Sequence, residues 1–169
     1  HNGRALIGDD MGLGKTAQSL AWLQMHPEKR PVVIIVPASL KLNWRKEARM
    51  WMDNPQTEII EGTTPYALSN TSEIFIINYD ILTAWLATLR QLKPQVIILD
   101  ESHYIKNGKA KRTKAVRELC KNVPHVLALT GTPIENRPVE LYQQISLICN
   151  TLFNNFMKYG KRYCAGHET

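Results

Sequence analysis

The chain is poor in cysteine, free of long apolar runs and free of repeats, and each shortage excludes something. Three cysteines stand far apart in 169 residues: Cys120, Cys149 and Cys164. An odd number without paired spacing argues against a disulfide framework and for a reducing compartment with buried thiols. Cys164 and His167 are close in sequence, but two ligands do not make a zinc site, so no structural metal site is expected. No run of about 18 apolar residues occurs, so no membrane partner is expected. No signal peptide is visible, although the abrupt start leaves room for one that has been cut away. An intracellular location is therefore expected, in the nucleus, or in the cytoplasm or nucleoid, depending on the organism. A hydrophobic content of 44% is enough for one packed core.

Acidic residues are scarce in one place. Residues 106–121, "KNGKAKRTKAVRELCK", hold seven lysines or arginines against one glutamate, while the rest of the chain carries fourteen of each sign. The net charge of +6 is thus local. Such a run reads first as a solvated helix face and only then as a nuclear localisation signal, unless it lies beside a nucleic-acid site, where it would meet phosphates.

Short β-branched runs alternate with amphipathic stretches. Strands are expected at 5–8, 32–36, 57–60, 74–77, 95–100 and 125–131. Helices are expected from Gly14 to His26, then through Leu40, Trp44, Ala48 and Trp51 on one face. Others follow through Leu82, Trp85, Leu86 and Leu89, and through the basic run with Ala115, Val116, Leu119 and Cys120 facing inward. The last two carry Leu141, Ile145 and Ile148 after Pro138, and span about Phe153 to Tyr163. Near-continuous apolar strands alternating with helices imply an α/β fold, a parallel sheet with helices on both faces. Ligands of such sheets bind at the carboxyl ends of the strands. The polar clusters at 9–16, 37–44, 78–80, 100–107 and 130–137 all follow strands, so one common edge should carry the function.

The first cluster, "GDDMGLGKT" (8–16), has the parts of a phosphate cradle. Gly12 and Gly14 allow a tight turn and close backbone approach to an anion. Lys15 would reach the β- and γ-phosphates of a nucleotide, and the Thr16 hydroxyl would ligate Mg²⁺. Asp9 stands where the usual pattern has glycine. "LDESH" (99–103) places two carboxylates at the end of an apolar strand, which is costly unless a cation or water uses them. Asp100 suits Mg²⁺, directly or through water, and Glu101 suits the polarisation of an attacking water. In "LTGTP" (129–133), Thr130 and Thr132 flank Gly131, and their hydroxyls would bond His103 or the carboxylates and report nucleotide state.

Taken together, these residues resemble helicase superfamily two, and specifically its Swi/Snf-like DNA-translocating ATPases. "DDMGLGKT" is similar to that family's motif I, where an opening Asp is common. "VPASLKLNW" (36–44) resembles motif Ia, "NYD" (78–80) motif Ib, "DESHYIKN" (100–107) motif II and "LTGTPIENRPVELY" (129–142) the motif III region. "DESHYIKN" and the tail "YGKRYCAGH" (159–167) look most like the annealing-helicase, fork-remodelling subgroup. Ser102 replaces the alanine of an Asp-Glu-Ala-His box, a small-for-small change.

The resemblance implies two RecA-like lobes with ATP between them and double-stranded DNA crossing both. Residues 1–169 would be the first lobe. The second lobe's arginine fingers and the upstream residues that recognise adenine would lie outside this stretch. By position, Asp9, Asp10, Met11, Gly12, Leu13, Gly14, Lys15 and Thr16 would form the ATP loop. Thr16 and Asp100 would hold Mg²⁺, and Lys15, Asp100 and Glu101 would serve catalysis. His103, Thr130 and Thr132 would couple hydrolysis to movement. Ser39, Asn43, Trp44, Asn78, Lys106 and Asn107 would lie on the DNA track, although Trp44 equally fits a helical core stripe. Two rival readings remain: an RNA helicase of the same superfamily, and a non-hydrolysing nucleotide-gated binding module.

Overall fold

The computed structural model describes residues 3–133, 138–149 and 151–164. Six strands form one wholly parallel sheet in the order β1-β6-β5-β2-β4-β3. They are β1 (Arg4–Ile7), β2 (Val32–Val36), β3 (Thr57–Ile59), β4 (Ile74–Asn78), β5 (Val96–Leu99) and β6 (His125–Leu129). Helices α1 (Lys15–Met25), α2 (Lys41–Trp51), α3 (Leu82–Gln91), α4 (Lys111–Cys120), α5 (Tyr142–Ile148) and α6 (Phe156–Tyr163) complete the described fold. This is the expected α/β class.

The strands at the sheet centre are buried on both faces, which is why they read as unbroken apolar runs. Alternation splits their side chains between two cores. Val32, Ile34, Val36, Ile74, Ile76, Val96 and Ile98 pack with Leu20 and Leu23 of α1 and with Trp44 and Ala48 of α2. Val33, Ile35, Phe75, Ile77, Ile97 and Leu99 pack with Trp85 and Leu89 of α3 and with Val116 and Leu119 of α4. Cys120 is buried in the second core, and desolvation pushes its thiol up to about 12. It is a packed cysteine of the kind the sequence suggests, whereas Cys149 and Cys164 are only half-buried.

Four expectations need correction. Trp51 does not join the inward stripe of α2. It is the helix's last residue, half exposed, and its indole N–H donates to Glu47 Oε2 at 2.9 Å, while the next residue, Met52, takes the core position. The basic run is not helical from its start: a 3₁₀ turn covers Ser102–Ile105, and α4 begins at Lys111. Its start stays near the carboxyl edge, and Lys114, Arg117 and Lys121 run away along it, all exposed. The helix after Pro138 carries Leu141, Ile145 and Ile148 but opens as a 3₁₀ turn (Pro138–Leu141); its fully buried residues are Tyr142, Gln144, Ser146 and Leu147, with Ile148 packed half-buried against the second core. The final helix starts at Phe156, not Phe153, because Asn155 caps it: its side chain accepts from Lys158 N at 3.0 Å. His167 lies outside the described residues, as do positions 134–137 of the motif III region. Among the described residues, no helix is long and apolar enough to cross a membrane.

Arg4 fastens the first strand from the far end of the sheet. Its guanidinium donates to Leu147 O and Cys120 O, both at 2.7 Å, and to Val123 O at 2.9 Å. It thereby satisfies carbonyls at and beyond the carboxyl ends of α4 and α5, where a cation also suits the helix dipoles.

Candidate active site

The loop after β1 turns through Gly12 and Gly14, both at left-handed φ (82° and 76°), conformations that glycine adopts without steric cost. A Cβ added at either glycine would meet nothing within 4 Å, so the loop backbone faces open space on that side. Gly14 is the N-cap of α1, so amide groups of the first helical turn point out beside the loop. Lys15 Nζ donates to Asp9 O at 2.6 Å and to Asp10 O at 2.9 Å, which draws the ammonium over the loop. Asp9 has a structural role that a glycine could not fill. Its Oδ2 accepts from Gln18 Nε2 at 3.3 Å, and the same amide donates to Leu13 O at 3.1 Å, tying both sides of the loop to α1. Thr16 is the second residue of α1 and half-buried. Met11 and Leu13 project into solvent.

Asp100, at the end of β5, is buried and held from three sides. Its Oδ2 accepts from Trp44 Nε1 at 2.7 Å, its Oδ1 from Glu101 N at 2.9 Å, and its backbone carbonyl from Tyr79 Oη at 2.7 Å. Burial raises the carboxyl above its usual range; the Trp44 and Glu101 hydrogen bonds and the positive charge of Lys15 oppose that rise. A cation at this carboxylate would relieve the cost of keeping it charged.

Glu101 sits at φ 47°, ψ 52°, the left-handed region, where a non-glycine residue is strained by roughly 1–2 kcal/mol. The strain is held in place by the bond from Glu101 N to Asp100 and by Tyr104 N donating to Glu101 O at 2.9 Å. It directs the glutamate away from the path of β5. Glu101 Oε2 lies 3.2 Å from His103 Nδ1. The same imidazole nitrogen is 3.3 Å from Thr130 Oγ1 and 3.4 Å from Thr132 Oγ1. His103 therefore joins the carboxylate of "DESH" to both hydroxyls of "LTGTP"; of the two partners expected for the threonines, it is His103 that they meet.

The turn after β6 also touches the phosphate loop. A Cβ on Gly131 would lie 2.7 Å from Met11 Cγ, 3.2 Å from Met11 N and 3.6 Å from Lys15 Nζ. Glycine lets the two segments approach this closely. Behind it, Ser102 Oγ donates to Gln144 Oε1 at 2.6 Å, and Gln144 Nε2 donates to Pro133 O at 3.3 Å. Ser102 thus links the two motifs through a buried helix residue, a use that its size alone did not reveal.

The residues placed on the DNA track divide. Ser39, Asn43 and Asn107 are exposed and Lys106 is half-buried, all near the carboxyl edge. Trp44 is 1% exposed and Asn78 is 6% exposed, so neither offers a surface to a nucleic acid. Trp44 belongs to the core stripe, and its polar atom is used inside the protein. Asn78 donates to Asp80 Oδ2 at 3.4 Å. Arg112 is likewise engaged, over the Tyr104 ring at 5.4 Å. A cavity of about 880 Å³ lies at the opposite end of the sheet, lined by Arg4, Lys121, Leu147 and Cys149 among others. It shares no residue with these motifs.

Comparison with known proteins agrees with this geometry. Residues 1–166 match the family described as the SNF2-related domain. The human protein "DNA annealing helicase and endonuclease ZRANB3" is 35% identical over 173 aligned residues, covering 98% of this chain and 16% of that protein. A Caenorhabditis elegans homolog of "SWI/SNF-related matrix-associated actin-dependent regulator of chromatin subfamily A-like protein 1" is 36% identical over 170, covering 99% of this chain and 25% of that protein. The chain thus spans a quarter or less of these relatives. The solved "Sulfolobus solfataricus SWI2/SNF2 ATPase core in complex with dsDNA" superposes with a TM-score of 0.82 at 27% identity, covering 95% of this chain and 34% of that one. The sheet is therefore of the RecA-like kind.

Proposed function

Because the chain belongs to the SNF2-related domain family, we propose that it is the ATP-binding lobe of a translocase that moves along double-stranded DNA. The observation that carries this reading is the meeting of three motifs at one sheet edge. Lys15 lies over its loop, its charge acts on Asp100, and His103 bridges Glu101 to Thr130 and Thr132.

The residues fit a magnesium nucleotide. The left-handed glycines leave room above the loop, and Asp100 is a buried carboxylate whose two protein donors are neutral N–H groups. Lys15 would bind the β- and γ-phosphates, with amides at the start of α1 around the same oxygens. Thr16 and Asp100 would hold Mg²⁺. When bound, the ion supplies positive charge where negative charge develops on the phosphate oxygens. Glu101 would orient the attacking water. Its Oε2 is engaged by His103, which leaves Oε1 to accept the water's hydrogen bond and proton. His103, Thr130 and Thr132 would carry the state of that carboxylate to the turn after β6, and so to the surface facing a second lobe.

That second lobe would supply an arginine, worth roughly three to five orders of magnitude in rate in comparable enzymes. Residues 1–169 by themselves are accordingly expected to hydrolyse ATP feebly or not at all. The deciding experiment uses a protein containing both lobes. Glu101→Gln should abolish DNA-stimulated hydrolysis while ATP binding survives, and Lys15→Ala should weaken both. Undiminished hydrolysis in Glu101→Gln would instead indicate a nucleotide-gated binding module. Competition between duplex DNA and duplex RNA for ATPase stimulation separates a DNA translocase from an RNA helicase.

A further inference from the structure

Trp44 is buried in the core between α2 and the sheet, yet its one polar atom does not end in the core. Its indole N–H crosses from α2 to the end of β5 and donates to Asp100 Oδ2 at 2.7 Å. Packing alone does not require this residue, since phenylalanine would fill much of the same apolar space. Only tryptophan among the aromatics offers an N–H at that reach. The two oxygens of Asp100 are served differently. Oδ1 accepts from the next residue's own amide, a local bond, whereas Oδ2 accepts from a residue 56 positions away. With one bond each, both oxygens keep lone-pair capacity for a cation or its waters. The rotamer of the carboxylate is then fixed by α2.

The start of α2, next to Trp44 itself, is exposed. Asn43 directly precedes Trp44, and Ser39 lies in the turn that leads into α2, both open to solvent at the carboxyl edge. Movement of α2 against the sheet would therefore move the donor on Asp100.

We propose that Trp44 is a positioning residue for Asp100: its indole N–H sets the orientation of the carboxylate and couples it to the exposed start of α2, where nucleic acid would be met. The inference rests on the assignment of Asp100 to Mg²⁺. A hydrogen-bond partner of a metal ligand typically changes metal affinity or activity by about 10- to 100-fold when lost.

The test uses a protein containing both lobes, with Trp44→Phe, and separately with 3-benzothienylalanine at position 44, which keeps the indole shape and lacks the N–H. Both should raise the half-saturating Mg²⁺ concentration for DNA-stimulated hydrolysis about tenfold and lower kcat about tenfold. Affinity for a fluorescent ATP analogue in EDTA should stay as in the parent, whereas the half-saturating DNA concentration in Mg²⁺ and ATP should rise, because the coupling runs both ways. If the phenylalanine variant is too unstable to assay, the benzothienyl variant decides. Parental Mg²⁺ dependence and kcat in the benzothienyl variant would reduce Trp44 to a packing residue and overturn the proposal. Lys15→Ala, assayed alongside, separates the two layers. If it disables nucleotide binding while the position-44 variants behave as the parent, only this inference fails. If Lys15→Ala binds and hydrolyses ATP normally, the site assignment fails with it.

Discussion

Replacing Gly131 with alanine should leave the lobe nearly as stable as before and still impair ATP use. The added Cβ would lie 2.7 Å from Met11 Cγ, but Met11 is 76% exposed and its side chain can swing away. The firmer contact is with the backbone, Met11 N at 3.2 Å, which must yield by a few tenths of an ångström. Gly131 does not occupy the left-handed region, so alanine also restricts the unfolded chain, a gain of about 0.4–1 kcal/mol. That gain offsets much of an overpacking cost at the low end of about 1–3 kcal/mol. The net change should stay within about 1 kcal/mol, or roughly 2–4 °C in Tm for a domain of this size. The displaced atoms, however, belong to the loop that carries Lys15, whose Nζ would be 3.6 Å from the new methyl. A misplacement of about 1 Å can cost two orders of magnitude in rate, so a few tenths should cost roughly three- to tenfold in kcat/KM for ATP. Melting curves of the variant, with steady-state ATPase in a two-lobe protein, measure both quantities. A parental kcat/KM would refute the claim that the turn after β6 sets the position of the phosphate loop. A Tm loss above about 6 °C would refute the claim that the strain falls on a yielding side chain.

Ser102→Ala should destabilise the lobe by about 2 kcal/mol, roughly 4–8 °C in Tm, because it leaves the buried Gln144 Oε1 without its donor. An unchanged melting curve would show the bond to be idle. His125, at the start of β6, has its pKa lowered from 6.5 by burial first and by Lys29 next. The fold thus prefers the neutral ring. Its contribution is full above about pH 6.5 and is lost as pH falls toward the lowered folded-state value. Between pH 7.5 and 5.5, Tm should therefore drop more for the parent than for His125→Gln, and equal drops would rule out this group.

Much of the lobe is legible in the sequence because its centre is apolar on both faces. "VVIIV" and "IFII" have no other place to go than the middle of a covered parallel sheet, and that placement carries the loops that follow them to one edge. The parts that stay hidden are those where the decisive partner is remote or polar. Trp44 reads as a core residue, and it is one, but its bond to Asp100 spans 56 positions that no local period links. The inward face of α5 includes Gln144 and Ser146, so an apolar-stripe reading misses part of it. Asp9 reads as a departure from the usual cradle until Gln18, a full helical turn inside α1, is seen to use its carboxylate. The left-handed turn at Glu101 is invisible for the opposite reason: glutamate is a residue type that avoids that conformation.

That turn bears on how the lobe balances endurance against work. Glycine would occupy position 101 more comfortably than glutamate, by about 1 kcal/mol, so the fold as it stands is less robust than a version stripped of its side chain there. Selection for durability alone would erode the residue assigned to the water. If Glu101 orients the water as proposed, the awkward posture is the cost of that role, and the hydrogen bonds to Asp100 and from Tyr104 act as the splint that makes it tolerable.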